Sequence, residues 1–148
     1  MSDTHEQKVR SFLEALHVTD PDFAALTDGL LAADARYVPL VPLRDPVLGP
    51  AAIQTELERQ NEFYTECRCD IITMASDDRV VITERVDRVT LRGDGREVVV
   101  QVCGVFEFDE NHQVVSWREY YDSSDMAVQL GHTPEEFADH MRSYAEPR

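Results

Sequence analysis

Four successive runs rich in β-branched and aromatic residues occupy the second half of the chain, at residues 66–76, 79–92, 97–109 and 113–122. They are separated by short polar or glycine-containing segments, such as Gly93-Asp94-Gly95, of the kind that form tight turns. Residues of this composition favour extended backbone. The sequence therefore predicts four long strands that follow one another as an antiparallel meander.

Two amphipathic helices are predicted before these strands. The first carries apolar residues at helical spacing, namely Val9, Phe12, Leu13 and Leu16. The second follows Asp20-Pro21, with proline at a favourable first position, and its apolar stripe comprises Phe23, Leu26, Leu30 and Leu31. Both stripes predict helices that pack against a common core.

The segments between and after these elements are less regular. We expect a short strand at 35–40, a proline-rich irregular loop up to Gly49-Pro50, and a third helix at 51–64. The apolar face of that helix comprises Ile53, Leu57 and Tyr64. Two more helical pieces are expected at the C-terminal end, lying across the sheet or a neighbouring subunit. The second begins with a capping box of Thr133 and Glu136, ahead of Phe137, Met141 and Tyr144.

Helices first and antiparallel strands afterwards predict an α+β fold, in which a strongly curved, mostly antiparallel sheet forms a cone around the N-terminal helices. Strands of about ten residues are long for a globular protein, and long twisted sheets curl. The length of 148 residues and the 43% hydrophobic content fit a single domain at 1–148. The hollow between sheet and helices is where we expect a binding pocket.

The charge balance limits the partners. With 14 basic and 29 acidic residues the formal net charge is −15, which repels nucleic-acid phosphates and anionic membrane surfaces. The polar N-terminus lacks the pattern of a signal peptide, and no stretch is long and apolar enough to span a membrane. We therefore expect a cytoplasmic protein whose three cysteines are reduced, with no nucleic-acid or membrane partner.

Candidate chemical groups appear on two of the predicted strands. Strand alternation puts Arg85 and Asp87 on one face with their Cα atoms roughly 6.5 Å apart, within reach of an ion pair. On the last strand Trp117, Glu119 and Tyr121 share a face. If both faces line the hollow, one arginine lies among two carboxylates within an apolar wall.

Such a group suits acid/base chemistry. Burial and mutual repulsion favour one proton shared between two carboxylates, while the arginine favours their ionised forms. A protonated carboxyl can then donate to an oxygen while the ionised one accepts a proton from water. The alternative is a solvated cross-strand ion pair of small energetic value.

The remaining reactive residues favour simpler interpretations. Five histidines, at positions 5, 17, 112, 132 and 140, show no metal-ligand spacing, and we expect them to be solvated surface residues. Cys103 is expected to be a packed apolar cysteine on the core face of its strand. We predict neither a metal nor a cofactor.

Three segments together resemble the limonene epoxide hydrolase family: Thr83-Glu84-Arg85-Val86-Asp87, Gly104-Val105-Phe106 and Trp117-Arg118-Glu119-Tyr120-Tyr121-Asp122. The resemblance implies a nuclear-transport-factor-like, cystatin-like roll shared with ketosteroid isomerases and SnoaL-like polyketide cyclases. It also implies a cofactor-free homodimer acting on a small hydrophobic epoxide.

The resemblance further implies roles for individual residues. Asp87 corresponds to the proton donor, Arg85 to the bridging arginine and Glu119 to the carboxylate that activates water. Tyr37 is similar to a tyrosine that helps to hold the water, and we expect Trp117 and Tyr121 to contact water or substrate.

Two positions depart from the family pattern. Glu119 stands where the family has aspartate, so its carboxylate reaches further by one methylene. Pro39 stands where the family has a water-holding asparagine, and proline has no side-chain hydrogen bond to offer. Tyr121, Tyr64 and Asn61 are candidate replacements; alternatively, the pocket does not use water.

Four functions remain open from the sequence. One-step hydrolysis of an epoxide to a vicinal diol is the leading hypothesis. An epoxide-opening cyclase would use an internal hydroxyl in place of water, and a ketosteroid-isomerase-like enzyme would move a proton next to a carbonyl. A non-catalytic, dimeric ligand-binding domain is the fourth.

Overall fold

The computed structural model describes residues 2–143 as five helices and one six-stranded sheet. The helices are α1 (Ser2–Leu16), α2 (Phe23–Leu30), α3 (Pro50–Asn61), α4 (Ser123–Leu130) and α5 (Pro134–Ser143). The strands are β1 (Leu31–Val38), β2 (Val47–Leu48), β3 (Tyr64–Ser76), β4 (Val80–Leu91), β5 (Glu97–Phe108) and β6 (Val114–Tyr120).

The sheet has the order β2-β1-β6-β5-β4-β3. Strands β3 to β6 pair antiparallel in sequence order, which confirms the predicted meander. Strand β1 then lies parallel to β6 and antiparallel to β2. The fold is the predicted α+β roll, in which the curved sheet surrounds the N-terminal helices.

The core lies between α1 and the inner face of the sheet. Val9 and Leu13 of α1 are fully buried, and so are Val81 and Phe106 of the sheet. Trp117 stacks on Phe106 with ring centroids 5.5 Å apart. These contacts hold α1 against one half of the sheet, and the other half of the inner face is left to line a cavity.

The predicted boundaries of two elements are wrong. Helix α2 ends at Leu30, because Leu31 is extended (φ −87°, ψ 137°) and begins β1 four residues earlier than expected. Helix α3 ends at Asn61, and Tyr64 pairs with Leu91 as the first residue of β3. In both cases an apolar residue that extends the helical pattern instead begins a strand.

The C-terminal helices pack on the sheet within the same chain. Met126 and Leu130 of α4 contact a cluster formed by Val98, Val100 and Val102 of β5. Helix α5 begins with the predicted capping box, in which Thr133 and Glu136 exchange side-chain to backbone hydrogen bonds of 3.1 Å. Tyr144, predicted on the apolar face of this helix, lies outside the described residues. Within 2–143, no helix is long and apolar enough to cross a membrane.

Candidate active site

Arg85 and Asp87 lie next to one another on the inner face of β4. Strand alternation turns both side chains inward, and the two residues are only 4% and 7% exposed. The guanidinium Nε of Arg85 donates to both carboxylate oxygens of Asp87, at 3.1 and 3.2 Å. The pair is therefore a buried ion pair and not a solvated one.

Glu119 reaches the same guanidinium from β6, two strands away. Arg85 donates from its two terminal nitrogens to the two oxygens of Glu119, at 3.0 and 2.5 Å, which is the fork-to-fork geometry of a strong charge-assisted pair. Glu119 is 4% exposed. One cation thus bridges two buried carboxylates.

Gly104, on the intervening strand β5, makes this bridge possible. It pairs with Thr83 on one side and with Glu119 on the other. A Cβ atom at position 104 would lie 2.8 Å from Nη1 of Arg85 and 2.9 Å from Oε2 of Glu119. Because such contacts are too close for carbon, the Arg85–Glu119 pair occupies space that only glycine leaves free.

Burial sets the charge state of this group. It raises the pKa of Glu119; the charge and hydrogen bonds of Arg85 oppose the rise, and the negative charge of Asp87 adds to it. The indole N–H of Trp117, which has no hydrogen bond of regular geometry, also lowers the Glu119 pKa. For Arg85, burial disfavours the cation, but Glu119 and Asp87 outweigh this and raise its pKa. Arg85 is therefore a permanent cation and Glu119 a stronger base than a free glutamate.

Tyr37 enters the pocket from β1, beside Trp117. The two rings stack with centroids 3.9 Å apart, and their residues are register partners on neighbouring parallel strands. Burial raises the pKa of Tyr37, with Glu119 adding to the effect, so its hydroxyl stays protonated. The hydroxyl accepts a hydrogen bond of 3.2 Å from Gln60.

Gln60 was missed by the sequence analysis. Its amide nitrogen donates both to Tyr37 and, at 3.3 Å, to Glu56, so its carbonyl oxygen is the group of this amide left to accept a hydrogen bond. The residue lines the cavity. Its position was a detectable signal, because residues 53, 57 and 60 fall on one helical stripe of α3, where the other two are apolar.

Glu56 fixes the orientation of that amide. It accepts a hydrogen bond of 2.9 Å from Arg44, in the loop after β1, and two from Arg59, at 2.9 and 2.6 Å. Burial raises the pKa of Glu56, but the hydrogen bonds from the two arginines outweigh this and lower it. The carboxylate is consequently ionised and holds one end of Gln60.

The walls of the cavity are mostly apolar. Its volume is about 580 Å³, within the range of small-molecule sites. Strands β4 and β5 supply one wall, and α4 and α5 supply another through Met126, Phe137 and Met141. Pro39, Trp117 and Tyr121 also line the cavity, as does Tyr64; Asn61 is not among the described lining residues.

A histidine and two cysteines surround the far side of Asp87. Nε2 of His17 is 4.0 Å from Oδ2 of Asp87, and Cys69 is the register partner of Asp87 on β3. Burial lowers the pKa of His17, although Asp87 opposes this, and burial raises the pKa of Cys67 to about 12. All three cysteines are free, and at neutral pH His17 is uncharged and Cys67 is a thiol.

Three expectations about reactive residues are wrong. His17 is not solvated, since only 8% of its side chain is exposed. His5 is 2% exposed and stacks on Phe108 at 4.1 Å. Cys103 lies on the outer face of β5, because its neighbours Val102 and Gly104 are the ones that face inward.

Comparison with known proteins assigns a family. A model of the limonene-1,2-epoxide hydrolase catalytic domain matches residues 3–131. The chain belongs to this family. No curated protein sequence matches the chain significantly.

Several solved structures share the fold of this chain. An epoxide hydrolase from Mycobacterium tuberculosis, described as similar to limonene epoxide hydrolase, is 28% identical, with a TM-score of 0.69 over 84% of this chain and 87% of that one. A putative SnoaL-like polyketide cyclase from Jannaschia sp. CCS1 is 12% identical, with a TM-score of 0.76 over 87% and 91%. SalBIII, an epoxide hydrolase/cyclase-like enzyme in pyran ring formation in the polyether salinomycin, is 15% identical, with a TM-score of 0.71 over 83% and 94%.

Proposed function

We propose that the protein is a cofactor-independent epoxide hydrolase that converts a small hydrophobic epoxide into a vicinal diol. The observation that carries this proposal is the buried Arg85, which bridges Asp87 and Glu119 at the wall of an apolar cavity. Family membership supports it, and so does the 28% identical M. tuberculosis relative.

The reaction proceeds in one step with balanced protons. Ionised Glu119 takes a proton from water while the water oxygen forms a bond to one epoxide carbon. The carbon–oxygen bond of the ring breaks, and Asp87, which in the reactive state of the proposal holds the one proton shared by the two carboxyl groups, donates it to the departing oxygen. Arg85 keeps both carboxyl groups in position and stabilises the charge that moves between them. The proton then returns from Glu119 to Asp87 through solvent.

Tyr37 and Gln60 position the attacking water in this proposal. Gln60 offers a carbonyl acceptor beside the Tyr37 hydroxyl, so an amide from α3 replaces the one absent at Pro39. A water between these groups and Glu119 can donate one hydrogen to the glutamate and the other to Gln60. Its lone pair is then directed toward the substrate.

The test is diol formation from a panel of terpene, styrene and cyclohexene epoxides in water labelled with oxygen-18. We expect one labelled oxygen in the diol, and a loss of about 100-fold or more in kcat for Asp87→Asn and for Glu119→Gln. Glu84→Gln, on the exposed outer face of β4, is the matched control and should keep full activity. An active Asp87→Asn variant would contradict the mechanism.

A second candidate function is epoxide-opening cyclisation. Two observations favour it: Pro39 removes one polar group from the pocket wall, and SalBIII shares the fold. In this reaction a hydroxyl of the substrate gives its proton to Glu119 and attacks the epoxide. A hydroxy-epoxide substrate distinguishes the two, because a cyclase yields a cyclic ether without label and a hydrolase yields a labelled triol.

We also propose that the chain forms a single domain and assembles as a homodimer through the outer face of the sheet. Ile72 and Ile82 are 61% and 45% exposed there, and Tyr120 is 40% exposed. Large apolar side chains on one face are typical of interfaces. Sedimentation equilibrium should give a dimer for the wild type and a monomer for an Ile72→Lys/Ile82→Lys variant.

A further inference from the structure

His17, Cys69 and Asp87 form a cluster of potential metal ligands beside the proposed proton donor. Their ligand atoms, one from each side chain, all lie within 4.8 Å of one another. The three residues come from different elements: His17 follows α1, while Cys69 and Asp87 face each other on β3 and β4. The cluster is therefore held by the fold and not by one mobile loop.

His17 is oriented as metal-binding histidines are. Its Nδ1 lies 2.5 Å from the carbonyl oxygen of Leu13, an acceptor only, so the proton of the neutral ring resides on Nδ1 and Nε2 carries the lone pair. That nitrogen faces Asp87 at 4.0 Å. A backbone carbonyl that binds the second nitrogen is the usual support for a ligating imidazole.

The charges that the cluster can present to a metal match a dication. Arg85 and Glu119 neutralise one another in a two-pronged pair. On binding, the metal would displace the thiol proton of Cys69 to solvent, and Asp87 and the resulting thiolate would carry two negative charges, which match one doubly charged ion. The hydrogen bonds of Arg85 Nε to Asp87 leave further lone pairs on the carboxylate for a metal.

We propose that His17, Cys69 and Asp87 form a Zn²⁺-type site that inhibits the enzyme by occupying its proton donor. One nitrogen, one sulfur and one oxygen ligand, with a fourth position open to the cavity, suit tetrahedral zinc. Bond lengths of about 2.0 to 2.3 Å require the ligand atoms to stand roughly 3.3 to 3.7 Å apart. Side-chain movements of about 1 Å therefore complete the site.

Binding is tested without reference to turnover. The reduced protein is titrated with Zn²⁺ by calorimetry and with Co²⁺ by absorption spectroscopy. We expect one ion per chain, with the visible bands of tetrahedral cobalt and the near-ultraviolet charge-transfer band of a cobalt–thiolate bond. Binding without the thiolate band would overturn the proposal, and so would the absence of binding.

Variants identify the ligands. Cys69→Ser and His17→Gln should each weaken binding at least about 100-fold, and circular dichroism checks that each variant is folded. Cys103→Ser, on the outer face, and His132→Gln, a half-exposed histidine near the cavity mouth, are matched controls and should bind as the wild type does. Unchanged affinity in either ligand variant would refute the site.

The proposal that bound Zn²⁺ inhibits epoxide opening rests on the proposed hydrolase function. Zn²⁺ should abolish epoxide opening, a chelator should restore it, and Cys69→Ser should stay active at Zn²⁺ concentrations that silence the wild type. If no epoxide is turned over, the hydrolase proposal fails while the spectroscopic measurements still decide the metal site. If turnover is normal but insensitive to bound Zn²⁺, the inhibitory role is wrong.

Discussion

Gly104 has no side chain, and the bridge between Arg85 and Glu119 can form because of this. At residue scale the Arg85–Glu119 pair needs the volume that a Cβ at position 104 would fill. The atoms in the way are the ends of two buried side chains, which the ion pair and the surrounding strands restrain. They cannot move aside without breaking the bridge.

The first prediction concerns Gly104→Ala. We expect Arg85 and Glu119 to shift by up to about 1 Å, which lowers kcat roughly 100-fold and costs about 1–3 kcal/mol of the free energy of unfolding. Steady-state kinetics and urea denaturation measure both. Gly29→Ala in α2, where nothing lies within 4 Å of the added carbon, should leave kcat unchanged; equal activity of the two variants would contradict the steric argument.

The second prediction concerns pH. Because burial raises the pKa of Glu119 above the usual 4.5, this base takes up a proton earlier as the pH falls. We expect kcat/KM to decline on the acid side with a midpoint above 4.5, measured with a non-ionising epoxide. In the Glu119→Gln variant this decline of kcat/KM on the acid side should disappear, together with most of the activity. A midpoint at or below 4.5 would contradict the assignment of Glu119 as a buried base.

The raised pKa of Glu119 also makes the stability of the folded state depend on pH. Native Glu119 binds its proton more tightly than the unfolded chain does, so the native state holds more protons between pH 4.5 and the folded pKa. The contribution of this residue to the free energy of unfolding therefore decreases as the pH rises through that window. Comparing the pH dependence of the urea midpoints of wild type and Glu119→Gln isolates it.

At the scale of elements, α3 connects the loop after β1 with the pocket. Arg44 of the loop and Arg59 of the helix bind Glu56, which in turn holds Gln60 against Tyr37. These five side chains form a continuous hydrogen-bonded network. The helix thus supports the position of groups on two neighbouring segments.

The third prediction tests this path with Glu56→Gln. The change removes the charge that two arginines bind in a site where Glu56 is 7% exposed, and we expect a loss of about 1–3 kcal/mol of stability. Loosening of Gln60 should also lower kcat about 10-fold. Glu58→Gln, exposed on the same helix and bonded only to Gln54 among the hydrogen bonds described, is the control and should alter neither quantity measurably.

The four antiparallel strands β3 to β6 were the part of the molecule that could best be predicted from the sequence. Strand alternation put Arg85 with Asp87 on one face of β4 and Glu119 with Trp117 on one face of β6. Both faces of β4 are of mixed polarity, so the sequence left open which face is inside, and the structure shows these to be the buried ones. Leu31 and Tyr64 were assigned to helices because an apolar residue at the end of a helical stripe also suits the start of a buried strand. Only the pairing of these residues with distant strands separates the two possibilities.

The rest of the site depends on contacts between elements that the sequence does not specify. His17 lies beyond the end of α1, and its proximity to Asp87 follows from how α1 packs against β3 and β4. Gln60 depends similarly on the distance between α3 and β1. Ligand spacing along the chain could not reveal a cluster whose members come from three elements.

At the scale of the whole molecule, the net charge of −15 opposes the compact state. Repulsion between surface carboxylates weakens with ionic strength, since the screening length falls from about 30 Å at 0.01 M to about 8 Å at 0.15 M. The described surface ion pairs, such as Arg68 with Glu97 at 3.7 Å, offset little of this repulsion between carboxylates.

The fourth prediction is that added salt stabilises the protein. The urea midpoint should rise between about 0.01 and 0.15 M sodium chloride, by an amount on the order of 1 kcal/mol in the free energy of unfolding. Urea is used because guanidinium chloride is itself a salt. Sucrose at matched osmolality controls for solvent effects, and a midpoint that falls with salt would show that attractive pairs dominate.

The parallel pairing of β1 with β6 brings Tyr37 beside Trp117, two residues from Glu119, although these strands lie toward opposite ends of the sequence. During synthesis on the ribosome, β1 leaves the exit tunnel long before β6 exists. The hairpin of β4 and β5 can form in the meantime, because its contacts are local. Arg85 and Asp87 can thus take their places before Glu119 joins them, and before Tyr37, although made earlier, has its partner strand β6. Tyr37 joins these residues only once β6 has been made and β1 can pair with it.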